Sequence, residues 1–217
     1  MAMDIAARRN HRSIELTALV RYLTHPQVEM APNVPVPCWG LNPIGQARAR
    51  DLAREAWISR TTQIIASGER KAIDTAAPIA AALGIEVEVR QAMHENDRSA
   101  TGFLPPAEFQ HVADAFFAQP QASIRGWERA IDAQDRILRE VDMVLARALE
   151  GDVLFVGHGG VGTLLLCSLM RAEISRVHDQ PNGGGNYFTF TKVGRAVVHR
   201  WRPMETPPTL GDTIADT

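Results

Sequence analysis

Asp152-Val153-Leu154-Phe155-Val156-Gly157-His158-Gly159-Gly160-Val161-Gly162-Thr163-Leu164-Leu165-Leu166 is the stretch whose reading decides the fold. Asp152 to Val156 is a short apolar run, the pattern of a strand buried on both faces. Gly160 to Met170 is apolar and long enough for a buried helix. A strand that passes through glycines straight into a helix is the joint of an α/β sheet.

The neighbouring segments alternate in the same way. Upstream, Trp127 to Leu149 carries apolar residues at helical spacing and closes at Gly151. Glu86 to Arg90 alternates as a strand. Glu69 to Leu83 is an alanine-rich helix stopped by Gly84. Thr62 to Ala66 is a short buried strand. Pro43 to Trp57 reads as a helix, with Asn42 as N-cap and proline in the first position. Glu15 to Thr24 is a strand ended by Pro26, which has no N–H to donate to a ladder. Ala107 to Ala118 is a helix inside the otherwise loop-like region 91–128. Downstream, a glycine-rich loop from Gln180 to Gly185 leads to paired strands at Tyr187 to Thr191 and Ala196 to Trp201, turning at Gly194. The expectation is one α/β domain over 1–217. It is a three-layer sandwich: a mostly parallel central sheet, helices on both faces, and a small helical cap inserted at 91–128. The ends, 1–13 and 203–217, read as flexible.

Composition narrows the function classes. The chain has 217 residues, 45% hydrophobic and 22% charged, an ordinary globular balance. A net charge of −2 gives no electrostatic footprint for nucleic acid. The basic cluster Arg8-Arg9-Asn10-His11-Arg12 reads as a solvated tail. Cys38 and Cys167 form no CxxC pattern, and two reduced thiols suit a reducing compartment. No apolar leader or membrane-length run is visible, so a cytoplasmic protein with no membrane partner is expected. No HExxH pattern or His/Asp cluster suggests a metal, and nothing calls for a cofactor.

In parallel sheets, ligands sit outside the carboxyl ends of the strands. Three strand ends there deliver Thr24-His25, Ser67-Gly68 leading to Lys71, and Gly157-His158-Gly159-Gly160. The loop His94-Glu95-Asn96-Asp97-Arg98 lies between them in sequence. Two histidines, acids and two cations therefore converge on one crevice. Gly157 to Gly162 also satisfies the dinucleotide pattern GxGxxG. Too little chain follows it for the usual βαβαβ array, and Asp179 does not end a strand. As a P-loop it fails because Thr163 holds the lysine place. GxSxG is absent, which argues against a nucleophile elbow.

In order and spacing, four motifs resemble the histidine phosphatase (phosphoglycerate mutase-like) superfamily. Leu41-Asn42-Pro43-Ile44-Gly45-Gln46-Ala47-Arg48-Ala49 is similar to its Leu-Ser-x-x-Gly-x-x-Gln-Ala helix start. Ser67-Gly68-Glu69-Arg70-Lys71-Ala72-Ile73-Asp74-Thr75-Ala76 is similar to Ser-x-x-x-Arg-Ala-x-x-Thr-Ala, with lysine for arginine. Glu95 takes the place of the inserted acid. Val156-Gly157-His158-Gly159-Gly160 is similar to the strand leading into Ser-His-Gly-Gly. The first motif, Arg-His-Gly, is altered. Either Arg21-Tyr22-Leu23 takes its place, which removes the nucleophile, or Thr24-His25-Pro26 does. The second is preferred on physical grounds. A nucleophile belongs at the strand's C-terminal lip, and Tyr22 lies roughly 10 Å deeper at about 3.3 Å per residue.

The resemblance implies a phosphatase working through phosphohistidine on His25. His158 would stabilise the phosphoryl oxygens and Glu95 would act as acid and base, with Asp97 in reserve. Lys71, Arg98, Thr24 and the N–H of Gly159 would bind phosphate. The partner is then a small phosphorylated substrate. A non-catalytic phospho-ligand binder on the same fold, and a phosphomutase, are the alternatives. Trp39 and Asn186 are candidates for the pocket rim. Phe103, Leu104, Phe109, Phe116, Phe117 and Trp127 either roof the substrate or simply pack the insert.

Overall fold

Six strands, each built from runs of β-branched, aromatic or leucine residues, form one sheet in the order β3-β2-β4-β1-β5-β6. The computed structural model describes residues 18–147 and 150–209. The strands are β1 (Leu19–Thr24), β2 (Thr61–Ser67), β3 (Val87–Arg90), β4 (Asp152–Gly157), β5 (Asn186–Thr191) and β6 (Val197–Pro203). β1, β2, β3 and β4 pair in parallel, and β5 and β6 add an antiparallel edge. Every residue of β4 is buried, as its unbroken apolar pattern requires.

Helices cover both faces. α1 (Pro43–Leu52) and α2 (Arg70–Leu83) pack on one, where Leu23, Ile64, Ala72, Ala76, Ile79 and Val156 form a core. α4 (Ala130–Leu145) and α5 (Gly159–Leu169) pack on the other, around Ile137, Val141, Phe155, Leu165 and Phe188. The α/β fold with helices on both faces is therefore as expected from the sequence. α3 (Pro106–Ala118) lies in the segment between β3 and α4 and buries Phe116 and Phe117 against the second core.

Several boundaries differ from the sequence reading for local reasons. α1 stops at Leu52, and the apolar residues beyond it pack from a short 3-10 turn at Ala56–Ile58. That turn buries Ile58 and stacks Trp57 on Tyr187. α4 begins at Ala130, so Trp127 belongs to the preceding loop, where its indole N–H donates to Thr101 Oγ1. Pro203 ends β6, and Met204 behind it is buried, with its N–H bonded to Gly185 O. The expectation of a flexible tail does not fit that part of it. The basic cluster at Arg8–Arg12, the rest of 1–13 and residues 210–217 lie outside the described residues.

Candidate active site

Parallel pairing of β1 with β4 brings the two histidines to one edge of the sheet. Thr24 is opposite Gly157, and the N–H of His25 donates to Gly157 O at 3.0 Å. His25 and His158 are thus the first residues off adjacent strands. Their rings lie 5.4 Å apart, inclined at 66°. His25 Nδ1 is 2.8 Å from Pro26 O, a contact that puts the proton on Nδ1 and leaves the Nε2 lone pair free. Burial and the neighbouring His158 lower the His25 pKa to about 3, so the ring is neutral.

His158 is completely buried. Its Nε2 is 2.8 Å from Ser67 Oγ and 3.5 Å from Glu69 Oε1. Burial lowers its pKa to about 4, and Glu69 and Glu95 only partly oppose this. Its Nδ1 has no partner among the described residues. Tyr22 supports it from below: the hydroxyl accepts from His158 N at 3.2 Å and lies 3.3 Å from His158 O. Tyr22 itself is fully buried and stacked on Phe188. It is a packing residue at the depth where a nucleophile has no access.

A cavity of about 420 Å3 opens on His25 and is lined also by Lys71, Glu95, Arg98, Gly159, Gly160 and Gln180. His158 does not reach its surface; it sits behind His25. The cations are less free than the sequence suggests. Lys71 Nζ is buried, paired with Glu69 and donating to Val36 O at 3.0 Å. Glu69 Oε1 also accepts the N–H of Glu95 at 2.9 Å. Burial opposes the charge on Glu69, but His158 and Lys71 outweigh it and bring its pKa down to about 2. Arg98 has no carboxylate within ion-pair distance among the described residues. Its guanidinium stacks on Phe109 and Trp127, at 5.0 and 5.6 Å from the ring centres.

The start of α5 is not open, contrary to expectation. Glu95 spans it: Oε2 accepts from Gly160 N at 3.0 Å and Oε1 from Val161 N at 2.9 Å. A carboxylate is the natural occupant of a helix N-terminus whose first N–H groups lack intrahelical partners. Burial would raise the Glu95 pKa, but His158, Arg98 and these N–H bonds hold it below the ordinary range. Asp97 is exposed, accepts from Ser99 N, and faces a neighbouring cavity rather than the one at His25.

Thr24, in the place of the lost arginine, is tied inward. Its hydroxyl donates to Gln180 Oε1 at 2.7 Å and accepts from Asn186 N at 3.0 Å. Asn186 Nδ2 donates to Gln180 Oε1 at 3.1 Å and to Pro181 O at 3.0 Å. With its oxygen held twice, Gln180 has its Nε2 fixed beside Gly159; a Cβ there would be 2.2 Å from it. Gln180 and Glu69 escaped the sequence reading because neither fills a specified position of a motif. Glu69 was a variable position between Ser67 and Lys71, and only its short spacing to Lys71 hinted at a pair.

The glycines of the apparent dinucleotide pattern serve close packing. A Cβ at Gly157 would be 2.2 Å from Tyr22 Oη, and one at Gly162 would be 2.5 Å from the Tyr22 ring. Gly45 lies where a Cβ would be 2.2 Å from Gln27 O, which holds α1 against the chain just after His25.

The profile of the Histidine phosphatase superfamily (branch 1) matches residues 32–202. The chain belongs to the histidine phosphatase superfamily. The match spans Lys71, Glu95 and His158 and begins after His25. No curated protein sequence matches the chain significantly. Among solved structures, a mycobacterial glucosyl-3-phosphoglycerate phosphatase is 19% identical with a TM-score of 0.69, over 85% of this chain and 96% of its own. Bacillus stearothermophilus YhfR is 20% identical with a TM-score of 0.70, over 84% and 95%. Entamoeba histolytica phosphoserine phosphatase is 17% identical with a TM-score of 0.65, over 89% and 98%. At these identities the likeness is one of fold.

Proposed function

We propose that this histidine phosphatase homologue is a phosphoric monoester hydrolase that takes the phosphoryl group of a small ester onto His25. One observation carries the reading. A neutral imidazole with a free Nε2 faces a cavity, backed by a second imidazole whose buried Nδ1 has no partner among the described residues. His158 lies behind His25 rather than on the cavity wall, so the reading requires the phosphoryl group to enter past His25 and meet that orphan nitrogen.

Nε2 of His25 attacks phosphorus, the N–P bond forms and the P–O ester bond breaks, and the leaving oxygen departs as the alcohol with the proton of Glu95 in its protonated form, which Glu95 regains from the attacking water of the second step. Water then attacks phosphorus, the N–P bond breaks, and inorganic phosphate departs. His158 takes the charge of the incoming dianion through Nδ1, and the dianion in turn favours its protonation. Gly159 N–H, Gln180 Nε2 and the cations Lys71 and Arg98 surround the remaining oxygens. Thr24 acts through Gln180 rather than on phosphate directly. Glu95 is the acid and base of the cycle only when it releases α5. The two free cysteines, Cys38 exposed and Cys167 buried, suit a reducing, cytoplasmic setting. Among the described residues no helix is long and apolar enough to cross a membrane.

The test is release of a phenol from an aryl phosphate, with alkaline rapid quench to trap radiolabelled phosphohistidine. His25→Asn should lose turnover and label together. Equal turnover in that variant refutes the mechanism. The altered first motif, in which Thr24 is tied inward to Gln180 and Asn186, motivates a second reading as a phospho-ligand binder. Tight phosphate binding without any turnover would select it. A mutase is disfavoured because the further cation at the cavity, Arg176, is committed to Asp114, Asp179 and Gln110.

A further inference from the structure

The walls of the cavity say what the phosphate is attached to. Beyond His25 they are formed by Val28, Val36, Trp39, Phe103, Leu104 and Phe109. Trp39 is fixed by its indole N–H, which donates to Ala31 O and Val34 O, and it packs on Phe103 at 5.7 Å between ring centres. Polar side chains of the same lining include Asn96, Gln110, Asn182 and Arg98, whose guanidinium carbon lies 5.0 and 5.6 Å from the ring centres of Phe109 and Trp127. Guanidinium planes and aromatic rings both accept a further aromatic ring, by stacking and by edge-to-face contact. Arg176, the other arginine of the lining, is committed to Asp114 and Asp179.

The chemistry at the leaving oxygen points the same way. Both oxygens of Glu95 accept N–H bonds, from Gly160 on one side and from Val161 and Asn96 on the other. An acid held in that way is poorly placed to protonate a departing alkoxide. A phenolic oxygen leaves without such help, because its negative charge is delocalised into the ring.

Resting on the phosphatase reading, we infer that the substrate is a phosphate monoester of an aromatic hydroxyl, bound with its ring between the Trp39–Phe103 wall and Arg98. The cavity, at about 420 Å3, is within the range of small-molecule sites and has room for a fused two-ring group.

The test separates binding from leaving-group reactivity. Competitive inhibition by benzylphosphonate should be at least tenfold tighter than by methylphosphonate, since neither is hydrolysed. 1-Naphthyl phosphate should exceed glucose 6-phosphate, 3-phosphoglycerate and phosphoserine in kcat/KM by a hundredfold or more. Phe103→Ser should raise the KM for 1-naphthyl phosphate at least tenfold while leaving inhibition by inorganic phosphate unchanged. Equal inhibition by the two phosphonates, a preference for a sugar or glycerate ester, or better turnover of decyl phosphate would each overturn the aromatic assignment and leave a phosphatase. Failure to hydrolyse any ester, with His25 intact and the protein folded, overturns the phosphatase reading and this inference with it.

Discussion

Replacing Glu69 by glutamine removes a buried negative charge from beside the anion site and should tighten phosphate binding while weakening the fold. Glu69 is 7% exposed, pairs with Lys71, and lies 3.5 Å from His158 Nε2. A phosphoryl oxygen hydrogen-bonded to the other ring nitrogen of His158 would be about 8 Å from that carboxylate. At an effective dielectric of about 20, repulsion over that distance is roughly 2 kcal/mol per unit charge. Since about 1.4 kcal/mol is a factor of ten, a tenfold or greater gain in phosphate affinity is expected even after relaxation and screening. Lys71, only 3% exposed, is then left without its carboxylate, which costs about 3–5 kcal/mol. The sign with pH follows. The folded-state pKa of Glu69 is depressed to about 2, so its stabilisation is complete above the ordinary carboxylate range and is lost as pH falls toward 2. The variant should lack that acid limb. The assay is phosphate inhibition of aryl phosphate turnover, together with melting curves with and without phosphate. Glu69→Gln should melt lower than the parent and recover more on adding phosphate. A variant that melts cooperatively yet binds phosphate no better than the parent refutes the claim that Glu69 opposes the anion.

Three further outcomes follow from the same geometry. Gln180→Leu should lower kcat by about tenfold to a hundredfold, the size of one hydrogen bond to a charged group, and should also lower the melting temperature, because the buried Thr24 hydroxyl and Asn186 amide lose their acceptor; unchanged kcat would remove Gln180 from the site. His158 is buried neutral with a folded pKa of about 4, against an ordinary 6.5. Its contribution is therefore present above pH 6.5 and lost as pH falls toward 4, by up to about 1.4 kcal/mol per pH unit, a loss to be read from urea midpoints at stepped pH. Calorimetry near pH 8, where free phosphate is already mostly the dianion, in buffers of different ionisation enthalpy should show proton uptake as phosphate binds; its absence would mean that His158 stays neutral. Gly45→Ala should destabilise the protein by about 1–3 kcal/mol because its Cβ meets backbone at Gln27, and urea unfolding would show it.

Most of the fold was legible in the sequence because its signals are local and repeated. Asn42 does cap α1, its side chain accepting from Gly45 N, and Gly84 ends α2 in the left-handed conformation. The strand patterns placed β1, β2 and β4, and hence the lip where His25 and His158 emerge. Sequence could not show that Ala53–Trp57 leaves the helix, since those residues satisfy their apolar contacts equally well from a 3-10 turn.

What the sequence by itself determined is the order of elements and which titratable groups reach the carboxyl end of the sheet. Backbone propensity and apolar spacing are written residue by residue. Tertiary structure alone decided which donors those groups would meet. Glu95 closes the start of α5, Glu69 neutralises Lys71, and Thr24 locks Gln180 rather than facing the cavity. Each of these results from a competition among polar groups for partners within a few ångströms, across 65, 2 and 156 positions of chain. No linear pattern encodes such a competition, because its outcome depends on distances that exist only after the sheet and helices have packed.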